Sequence, residues 1–252
     1  MIDFDISATS RVGCIRSNNE DMILVRSEFI RSDTFSTSAS TQGADRLLFA
    51  LADGMGGHNA GEVASEDTLS NLNFFINDLP PNLEINQLTE YLFEWLSSIN
   101  QIIESKGREN PKLENMGTTL VGILYYGGHI FWMNCGDSRF YRLRGSFLEQ
   151  ISIDHSLNNM TGATKHSNVI TNCIGAGCKN SYIDFKEFTD DVEDGDVLIL
   201  CSDGLNDMVP DTEIRKLLLS GANASELCQA AIDAGGYDNV SVCVLRVHKQ
   251  ED

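Results

Sequence analysis

Basic residues and long apolar runs are scarce in this 252-residue sequence. Lys and Arg number 18 against 37 Asp and Glu, which gives a formal net charge of −19. Such a surface repels the phosphate backbone of nucleic acids and anionic lipid headgroups, so we expect neither nucleic-acid binding nor membrane-surface binding. The same field repels phosphorylated substrates. A protein of this charge that acts on phosphate would need bound cations to reverse the sign locally.

Signals for export or membrane insertion are also missing. Residues 1–10 contain no basic residue, unlike the start of a secretory signal. The longest apolar run, Leu47–Ala52, is far shorter than the roughly 20 residues that span a bilayer. The seven cysteines include no Cys-x-x-Cys pair, and Cys135, Cys201 and Cys243 lie in apolar, strand-like runs. We therefore expect a cytoplasmic protein with buried thiols, no disulfide framework and no cysteine zinc site.

Apolar periodicity predicts two pairs of helices within a strand-rich chain. In the second expected helix, Leu88, Tyr91, Leu92, Trp95, Leu96 and Ile99 recur at spacings of three and four, which is one face of an amphipathic helix. The Ser- and Thr-rich residues 31–45 read as an exposed loop. The expected helices cover residues 61–77, 88–105, 211–220 and 224–234, and the expected strands cover 4–9, 22–29, 46–52, 118–126, 130–134, 140–144, 147–151, 184–189, 197–201 and 240–247. This order predicts a layered α+β domain with no linker that divides it.

Four aspartates lie where buried strands are expected to reach the rim of the core. Asp53, Asp137 and Asp203 each follow such a strand, and Asp238 precedes the last one. Any one of them alone is most simply a turn, because Asp-Gly after a strand is a common turn sequence. If the strand ends converge, however, the four carboxylates repel one another and hard cations would relieve that repulsion. Oxygen ligands without His or Cys favour Mg²⁺ or Mn²⁺ over Zn²⁺.

A second cluster surrounds one of the few basic residues, in the run Arg16-Ser17-Asn18-Asn19-Glu20-Asp21. A planar guanidinium suits bidentate recognition of a phosphoryl group. The alternative is a surface loop that contains an Arg–Glu ion pair.

These motifs together resemble a metal-dependent protein phosphatase of type 2C, in its compact bacterial form. The matching pieces are Arg16 with Asn19-Glu20-Asp21, Ala52-Asp53-Gly54-Met55-Gly56-Gly57-His58, Gly117-Thr118-Thr119, Gly136-Asp137-Ser138-Arg139, Asp154-His155-Ser156, Ser202-Asp203-Gly204 and Asp238-Asn239-Val240-Ser241. The resemblance implies a single catalytic domain over residues 1–252. Its expected fold is a central β-sandwich of two antiparallel sheets flanked by helix pairs, with a short flap at about residues 156–168.

The resemblance also implies a site for two Mg²⁺ or Mn²⁺ ions, and it assigns ligands by matching position. Asp53 is expected to bridge both metals, and Asp203 and Asp238 to complete one of them. The carbonyl of Gly54 is expected to bind the other metal, with Glu20 and Asp21 holding its waters. Asp137, together with Asp203, matches the ligands of a third metal.

The implied reaction is direct attack on phosphorus by a hydroxide that the two metals share, with no phosphoenzyme. Arg16 is expected to hold the phosphoryl oxygens. The sequence departs from the family pattern at Met55, where some members have a His, and at Asn172, where an Arg is common. His58 lies close to Met55, but a structural or solvent-facing role is favoured for it over that of catalytic acid.

The leading functional hypothesis is therefore a serine/threonine protein phosphatase. Its expected partners are phosphorylated proteins, the substrates of a bacterial Ser/Thr kinase, and it is expected to act as a monomer. The alternative is a pseudophosphatase that serves as a regulatory binding module, but such a chain is expected to have lost metal carboxylates. A third hypothesis, hydrolysis of small phosphoesters, stays open as a side activity.

Overall fold

The computed structural model describes residues 1–56, 60–161 and 169–250. Its strands, named in chain order, are β1 (Ile2–Arg11), β2 (Met22–Val25), β3 (Glu28–Ile30), β4 (Thr34–Ser40), β5 (Arg46–Ala52), β6 (Gly54–Met55), β7 (Gly117–Thr118), β8 (Leu120–Tyr126), β9 (His129–Cys135), β10 (Arg139–Arg144), β11 (Phe147–Gln150), β12 (Ile174–Gly175), β13 (Asp184–Glu187), β14 (Val197–Cys201) and β15 (Val240–Lys249). Its helices are α1 (Ala60–Asp78), α2 (Ile85–Glu109), α3 (Leu157–Thr161), α4 (Asp203–Asn206), α5 (Asp211–Leu219) and α6 (Ala224–Asp233). Single 3₁₀ turns occur at Pro111–Leu113 and Thr189–Asp191.

Two six-stranded antiparallel sheets form the centre of the molecule. The first sheet has the strand order β11-β10-β14-β15-β1-β4, and the second has the order β13-β9-β8-β5-β2-β3. A small third sheet joins β12, β7 and β6 beside them. The predicted β-sandwich with flanking helices is confirmed.

The continuous apolar runs arise because the central strands are covered on both faces. In β5, Leu47, Phe49 and Leu51 contribute to a core between the two sheets, where the rings of Phe4 and Phe49 meet with centroids 5.7 Å apart. The alternate residues Leu48, Ala50 and Ala52 face the other way and pack in a separate core with α1 and α2. A strand with two buried faces cannot show the polar alternation that marks a half-exposed strand.

Helix pairs cover the outer faces of both sheets. α1 and α2 cover the second sheet, and α5 and α6 cover the first. The amphipathic pattern of α2 is confirmed for Leu88, Leu92, Trp95, Leu96 and Ile99, all of which are buried. Within the described parts of the chain, no helix is long and apolar enough to cross a bilayer.

Three sequence predictions are wrong. The expected loop over residues 31–45 contains β4, which pairs with β1 as an edge strand, so a mostly polar composition is tolerated there. The single strand expected over residues 22–29 is a hairpin of β2 and β3. Tyr91 is 41 % exposed, so it does not belong to the buried face of α2.

The expected flap extends outside the described residues. Its first part forms the short helix α3 rather than irregular chain. Residues 162–168 of the flap, like His58, lie outside the part of the chain that the structure describes.

Candidate functional site

Asp53 lies at the end of the central strand β5, and its backbone is held on both sides. The amide of Asp53 donates to Oγ1 of Thr119 at 3.0 Å. Its carbonyl accepts from the amide of Thr119 at 2.9 Å and from Oγ1 of Thr118 at 2.8 Å. These three bonds use only the backbone of Asp53, a residue that lines a cavity and whose carboxyl group lies beside that of Asp21.

Asp203 and Asp238 come from neighbouring strands of the first sheet. Asp203 begins α4 directly after β14, and Asp238 precedes β15. Because β14 and β15 are antiparallel, the end of one strand lies beside the start of the other. Asp238 accepts a hydrogen bond from Nη2 of Arg16 at 2.7 Å, and both side chains are about half exposed. The site therefore lies where strand ends of both sheets meet.

Glu20 and Gly54 approach each other through their backbones. The Gly54 amide donates to the Glu20 carbonyl at 3.2 Å, and Oγ of Ser65 donates to the same carbonyl at 2.6 Å. A Cβ on Gly54 would lie 2.6 Å from that carbonyl oxygen, closer than real side chains come. Glycine is required here by the close packing of this backbone against Glu20 and the first turn of α1.

Asp21 is a buried carboxylate with an incomplete set of partners. Oγ of Ser202 donates to its Oδ2 at 2.8 Å, whereas Oδ1 is buried without a hydrogen-bond partner among the described residues. Burial raises the pKa of Asp21 to about 6. A buried carboxylate oxygen without a donor is costly, because the desolvation of the group is not compensated.

The carboxylates at the strand ends raise one another's pKa. The pKa of Asp53 lies well above its usual value, first because of burial and then because Asp21, Asp203 and Asp137 are negative neighbours. The pKa of Asp203 is likewise raised by burial and then by Asp137 and Asp207. The pKa of Glu20 is raised by burial, against the attraction of Arg16. These directions are those of a cluster that is short of positive charge.

Asp137 lies two residues after the end of β9 and is a charged neighbour of Asp53 and Asp203. Burial is the main reason why its pKa is raised to about 6, and Asp154 and Asp207 add to the effect. The preceding residue, Gly136, is held through both of its backbone polar groups, because its amide donates to Nδ1 of His155 at 3.1 Å and its carbonyl accepts from the His155 amide at 2.9 Å. Asp137 reaches Asp53 and Asp203 through its charge but does not line the cavity.

A cavity of about 590 Å³ joins most of the predicted site residues. The residues that line it from the predicted set are Arg16, Glu20, Asp53, Gly54, Asp203 and Asp238, and Met55 is part of the wall. Another part of the wall comes from the segment that contains β12, residues 170–178. Among the described residues, no three acidic, histidine or cysteine side chains are already arranged as a cation site.

Asn172 is a residue whose role the sequence did not reveal. It is buried, and its side-chain amide forms two hydrogen bonds with the backbone of Tyr182, at 2.8 and 3.0 Å. Its Nδ2 also donates to Nδ1 of His155 at 2.8 Å. Asn172 thus supports the histidine that holds Gly136. No local pattern signals this role, because the partners are 10 to 17 residues away in the chain.

Comparison with known proteins identifies the family. The model of the family described as protein phosphatase 2C matches residues 25–232. The chain belongs to this family. The prediction of a bacterial-type serine/threonine protein phosphatase is therefore confirmed at the level of the family.

Relatives of the chain extend this likeness to nearly its whole length. Protein phosphatase PhpP of Streptococcus pneumoniae is 31% identical over 98% of this chain and 99% of its own. The serine/threonine phosphatase of S. agalactiae superposes with a TM-score of 0.80 at 27% identity, over 98% of this chain and all of that one. The catalytic domain of the phosphatase PstP, solved in complex with two manganese ions, superposes with a TM-score of 0.74 at 32% identity, over 99% and 100% of the two chains.

Proposed function

We propose that this protein is a metal-dependent serine/threonine protein phosphatase that hydrolyses phosphoserine and phosphothreonine in proteins. The observation that carries the proposal is the cavity in which Arg16 meets three strand-end aspartates, Asp53, Asp203 and Asp238. Membership of the protein phosphatase 2C family supports the reaction class. The presence of all four predicted aspartates argues against the pseudophosphatase alternative.

The residues at the cavity fit divalent cations on chemical grounds. All the predicted side-chain ligands are carboxylates, which suit Mg²⁺ and Mn²⁺. Burial and mutual repulsion raise the pKa of Asp53 and Asp203, and a cation between the carboxylates would lower both pKa values. The unpartnered Oδ1 of Asp21 is a further buried acceptor that a cation-bound water would satisfy.

We assign the ligands as the family resemblance implies. Asp53, Asp203 and Asp238 would hold two cations with the Gly54 carbonyl, and Glu20 and Asp21 would act through waters. Asp137 and Asp203 would serve a third cation. When bound, the cations supply a nucleophilic water of lowered pKa at neutral pH and offset the negative charge of the phosphoryl group.

The chain's own residues perform the remaining tasks. The guanidinium of Arg16 is half exposed at the mouth of the cavity and is free to turn from Asp238 to two phosphoryl oxygens of a substrate. Thr118 and Thr119 fix the backbone of Asp53, so its carboxylate is oriented before substrate arrives. Met55 lines the cavity but carries no proton to donate, so it does not replace the acid that some family members have.

The setting that we propose is a single catalytic domain acting as a cytoplasmic monomer. Its substrates would be proteins phosphorylated by a bacterial Ser/Thr kinase. With a net charge of −19, the general surface repels a phosphorylated substrate, so we expect cations at the cavity to attract the phosphoryl group. Small phosphoesters are expected to react as a side activity, because the cavity is open to solvent at Arg16.

The decisive experiment is hydrolysis of a phosphothreonine peptide with Mn²⁺, with Mg²⁺ and with EDTA. We expect phosphate release with at least one metal and none in EDTA, and none from Asp53→Asn under any condition. Full activity in EDTA would refute the metal mechanism. Binding of the phosphopeptide without phosphate release, in the presence of either metal, would favour the regulatory binding module.

A further inference from the structure

Two cysteines lie on the wall of the cavity and are brought together by a tight reversal of the chain. Cys173 is buried, Cys178 is partly exposed, and both line the cavity. The three residues Gly175, Ala176 and Gly177 have φ values of 79°, 48° and 74°. Such a run of left-handed residues is unfavourable for the alanine, so the surrounding structure must hold the turn in place.

Contacts around the turn show how closely its two ends approach. The amide of Cys178 donates to the carbonyl of Gly175 at 2.9 Å. Oγ of Ser181 lies 2.5 Å from the carbonyl oxygen of Cys173 and 3.1 Å from that of Cys178. One hydroxyl therefore reaches the backbone of both cysteines. Burial, and then the neighbouring Cys178, raise the pKa of Cys173 to about 12.

We propose that Cys173 and Cys178 form a reversible disulfide on the cavity wall when a hydroperoxide reaches the site. The thiol of Cys178 releases its proton and the thiolate attacks the peroxide, whose O–O bond breaks; the departing oxygen takes up that proton, which gives a sulfenic acid and one water or alcohol. The sulfur of Cys173 then attacks the sulfenic sulfur, its proton passes to the departing hydroxide, and the S–S bond forms with release of water. Two thiols lose two electrons in total, and the peroxide gains them.

The difference in exposure assigns the order of these two steps. Cys178 is the accessible thiol of the pair, whereas Cys173 is buried and remains protonated because of its raised pKa. The remaining cysteines do not pair an accessible thiol with a buried one across the turn. Cys14 is exposed, while Cys201, Cys228 and Cys243 are buried, with thiol pKa values raised chiefly by burial. The pKa of Cys135 is raised by burial and then by Cys173 and Cys178, but this thiol is buried and is not the one that a peroxide reaches first.

The loop closed by such a disulfide is very short, since only residues 174–177 separate the two cysteines. Closing a short loop removes little entropy from the unfolded chain, so the bond gives little stability. It is therefore expected to be a labile disulfide that cellular thiols reduce, not a structural one.

The turn is connected mechanically to the candidate site. β12 pairs with β7, and β7 pairs with β6, which contains Gly54. The amide of Ala176 donates to the Met116 carbonyl at 2.7 Å, and a Cβ on Gly175 would lie 2.6 Å from the same oxygen. Rotation of the two cysteines into a disulfide must therefore shift the wall beside Gly54. We expect oxidation to lower turnover, a consequence that rests on the proposed phosphatase function.

Mass spectrometry tests the bond itself without any activity measurement. The full protein is treated with hydrogen peroxide, free thiols are alkylated, and the product is digested with trypsin. Cleavage after Lys165 and Lys179 releases residues 166–179, whose only cysteines are Cys173 and Cys178. We expect this peptide to be unalkylated and two hydrogens lighter than its reduced form, and dithiothreitol to reverse the change. Two alkylated thiols in the peptide, irreversible oxidation, or a link to another cysteine would overturn the proposal.

Phosphatase activity, measured after removal of the peroxide, tests whether the disulfide lowers turnover. We expect kcat/KM of the oxidised wild type to fall severalfold and to recover with dithiothreitol. Cys178→Ser should show the same value before and after treatment, and Cys14→Ser, the matched control, should respond as the wild type does. A disulfide that forms with no change in kcat/KM would refute the coupling to the site. Lack of phosphatase activity in the reduced protein would instead refute the proposed function and leave the mass result intact.

Discussion

At the scale of single residues, the buried aspartates are the most informative part of the molecule. Asp53 and Asp203 carry carboxylates that burial and like charge both oppose, which is costly unless the site uses the charge. We expect Asp53→Asn or Asp203→Asn to lower kcat/KM for a phosphopeptide by more than about a hundredfold. In EDTA, each variant should unfold at the same temperature as the wild type or at a higher one, because each change removes one of the repelling charges.

An exposed carboxylate provides the control for these two variants. Asp78 lies at the end of α1 in an exposed position, so Asp78→Asn should leave both activity and unfolding temperature unchanged. Unfolding temperatures that drop sharply in Asp53→Asn and Asp203→Asn would show that these carboxylates are structural groups.

Arg16 gives a second prediction at this scale. Its ion pair with Asp238 is solvent-exposed, so loss of the pair should change stability by less than about 1 kcal/mol. We expect Arg16→Ala to raise KM, lower kcat, or both, and Arg16→Lys to restore only part of the loss, because a point charge does not replace the planar fork. Arg108→Ala, at the exposed end of α2, is the control. Steady-state kinetics identical to the wild type for both Arg16 variants would make Arg16 a surface residue.

At the scale of elements, Thr119 links two segments that carry aspartates. Its Oγ1 accepts from the Asp53 amide at 3.0 Å and is 2.7 Å from Oγ of Ser138, the neighbour of Asp137. Thr119→Val keeps the side-chain shape but removes both bonds. We expect a loss of about 1–3 kcal/mol in the free energy of unfolding, together with a fall in kcat, measured by urea titration and phosphate release.

A second buried threonine, Thr68, serves as the control. It tests whether removal of a buried hydroxyl destabilises the protein when that hydroxyl forms no hydrogen bonds. Thr68 in α1 is equally buried, and its Oγ1 has no hydrogen-bond partner among the described residues. Thr68→Val should therefore be neutral or stabilising. Equal destabilisation by the two changes would contradict the role given to Thr119.

The sequence predicts the elements that have an apolar pattern of their own, and it misses those that are defined only by pairing with another strand. The long strands and the four main helices follow from apolar runs and periodicity, as β5 and α2 show. β4 escaped prediction because it is an edge strand defined by pairing with β1, not by its own composition. β6 and β12 are two residues long and exist only through pairing with β7, so no local signal marks them. The strand expected over residues 118–126 includes Thr118, but the structure divides it into β7 and β8.

The candidate site is predictable to a similar degree. Asp53, Asp203 and Asp238 each adjoin an apolar run long enough to be a buried strand, and the family resemblance, not this position alone, predicts that the three lie at one site. The contacts of Asn172 and Thr119 are not predictable, because each joins segments that are distant in the chain.

At the scale of the whole molecule, the acidic cluster makes stability depend on pH. The pKa values of Asp21 and Asp137 are about 6 in the folded protein, against an ordinary value of 3.8. A raised pKa means that the folded state binds the proton more tightly, so the stabilisation is complete below about pH 4 and is lost as the pH rises through about 6. In EDTA we expect the free energy of unfolding to fall by on the order of 2 kcal/mol per group between about pH 4 and pH 7.

Urea unfolding across this pH range measures the effect. Asp21→Asn should reduce the fall, while the exposed Asp78→Asn should not change it. The prediction is that ionising these buried carboxylates lowers stability. A free energy of unfolding that rises from pH 4 to pH 7 in EDTA, equally in the wild type and in Asp21→Asn, would contradict it.

The pairing of β1 with β15 has a consequence for how the protein is made. These strands lie side by side within the first sheet, over all ten residue pairs from Ile2–Lys249 to Arg11–Val240. While a ribosome is still adding residues, β1 and β14 both lack the neighbour that joins them, and Asp238 has not yet been synthesised. The nascent chain therefore cannot close its first sheet until β15 has left the exit tunnel, and it cannot complete its carboxylate cluster until Asp238 has done so. The first sheet and the carboxylate cluster are therefore completed only after the second sheet already has all of its strands.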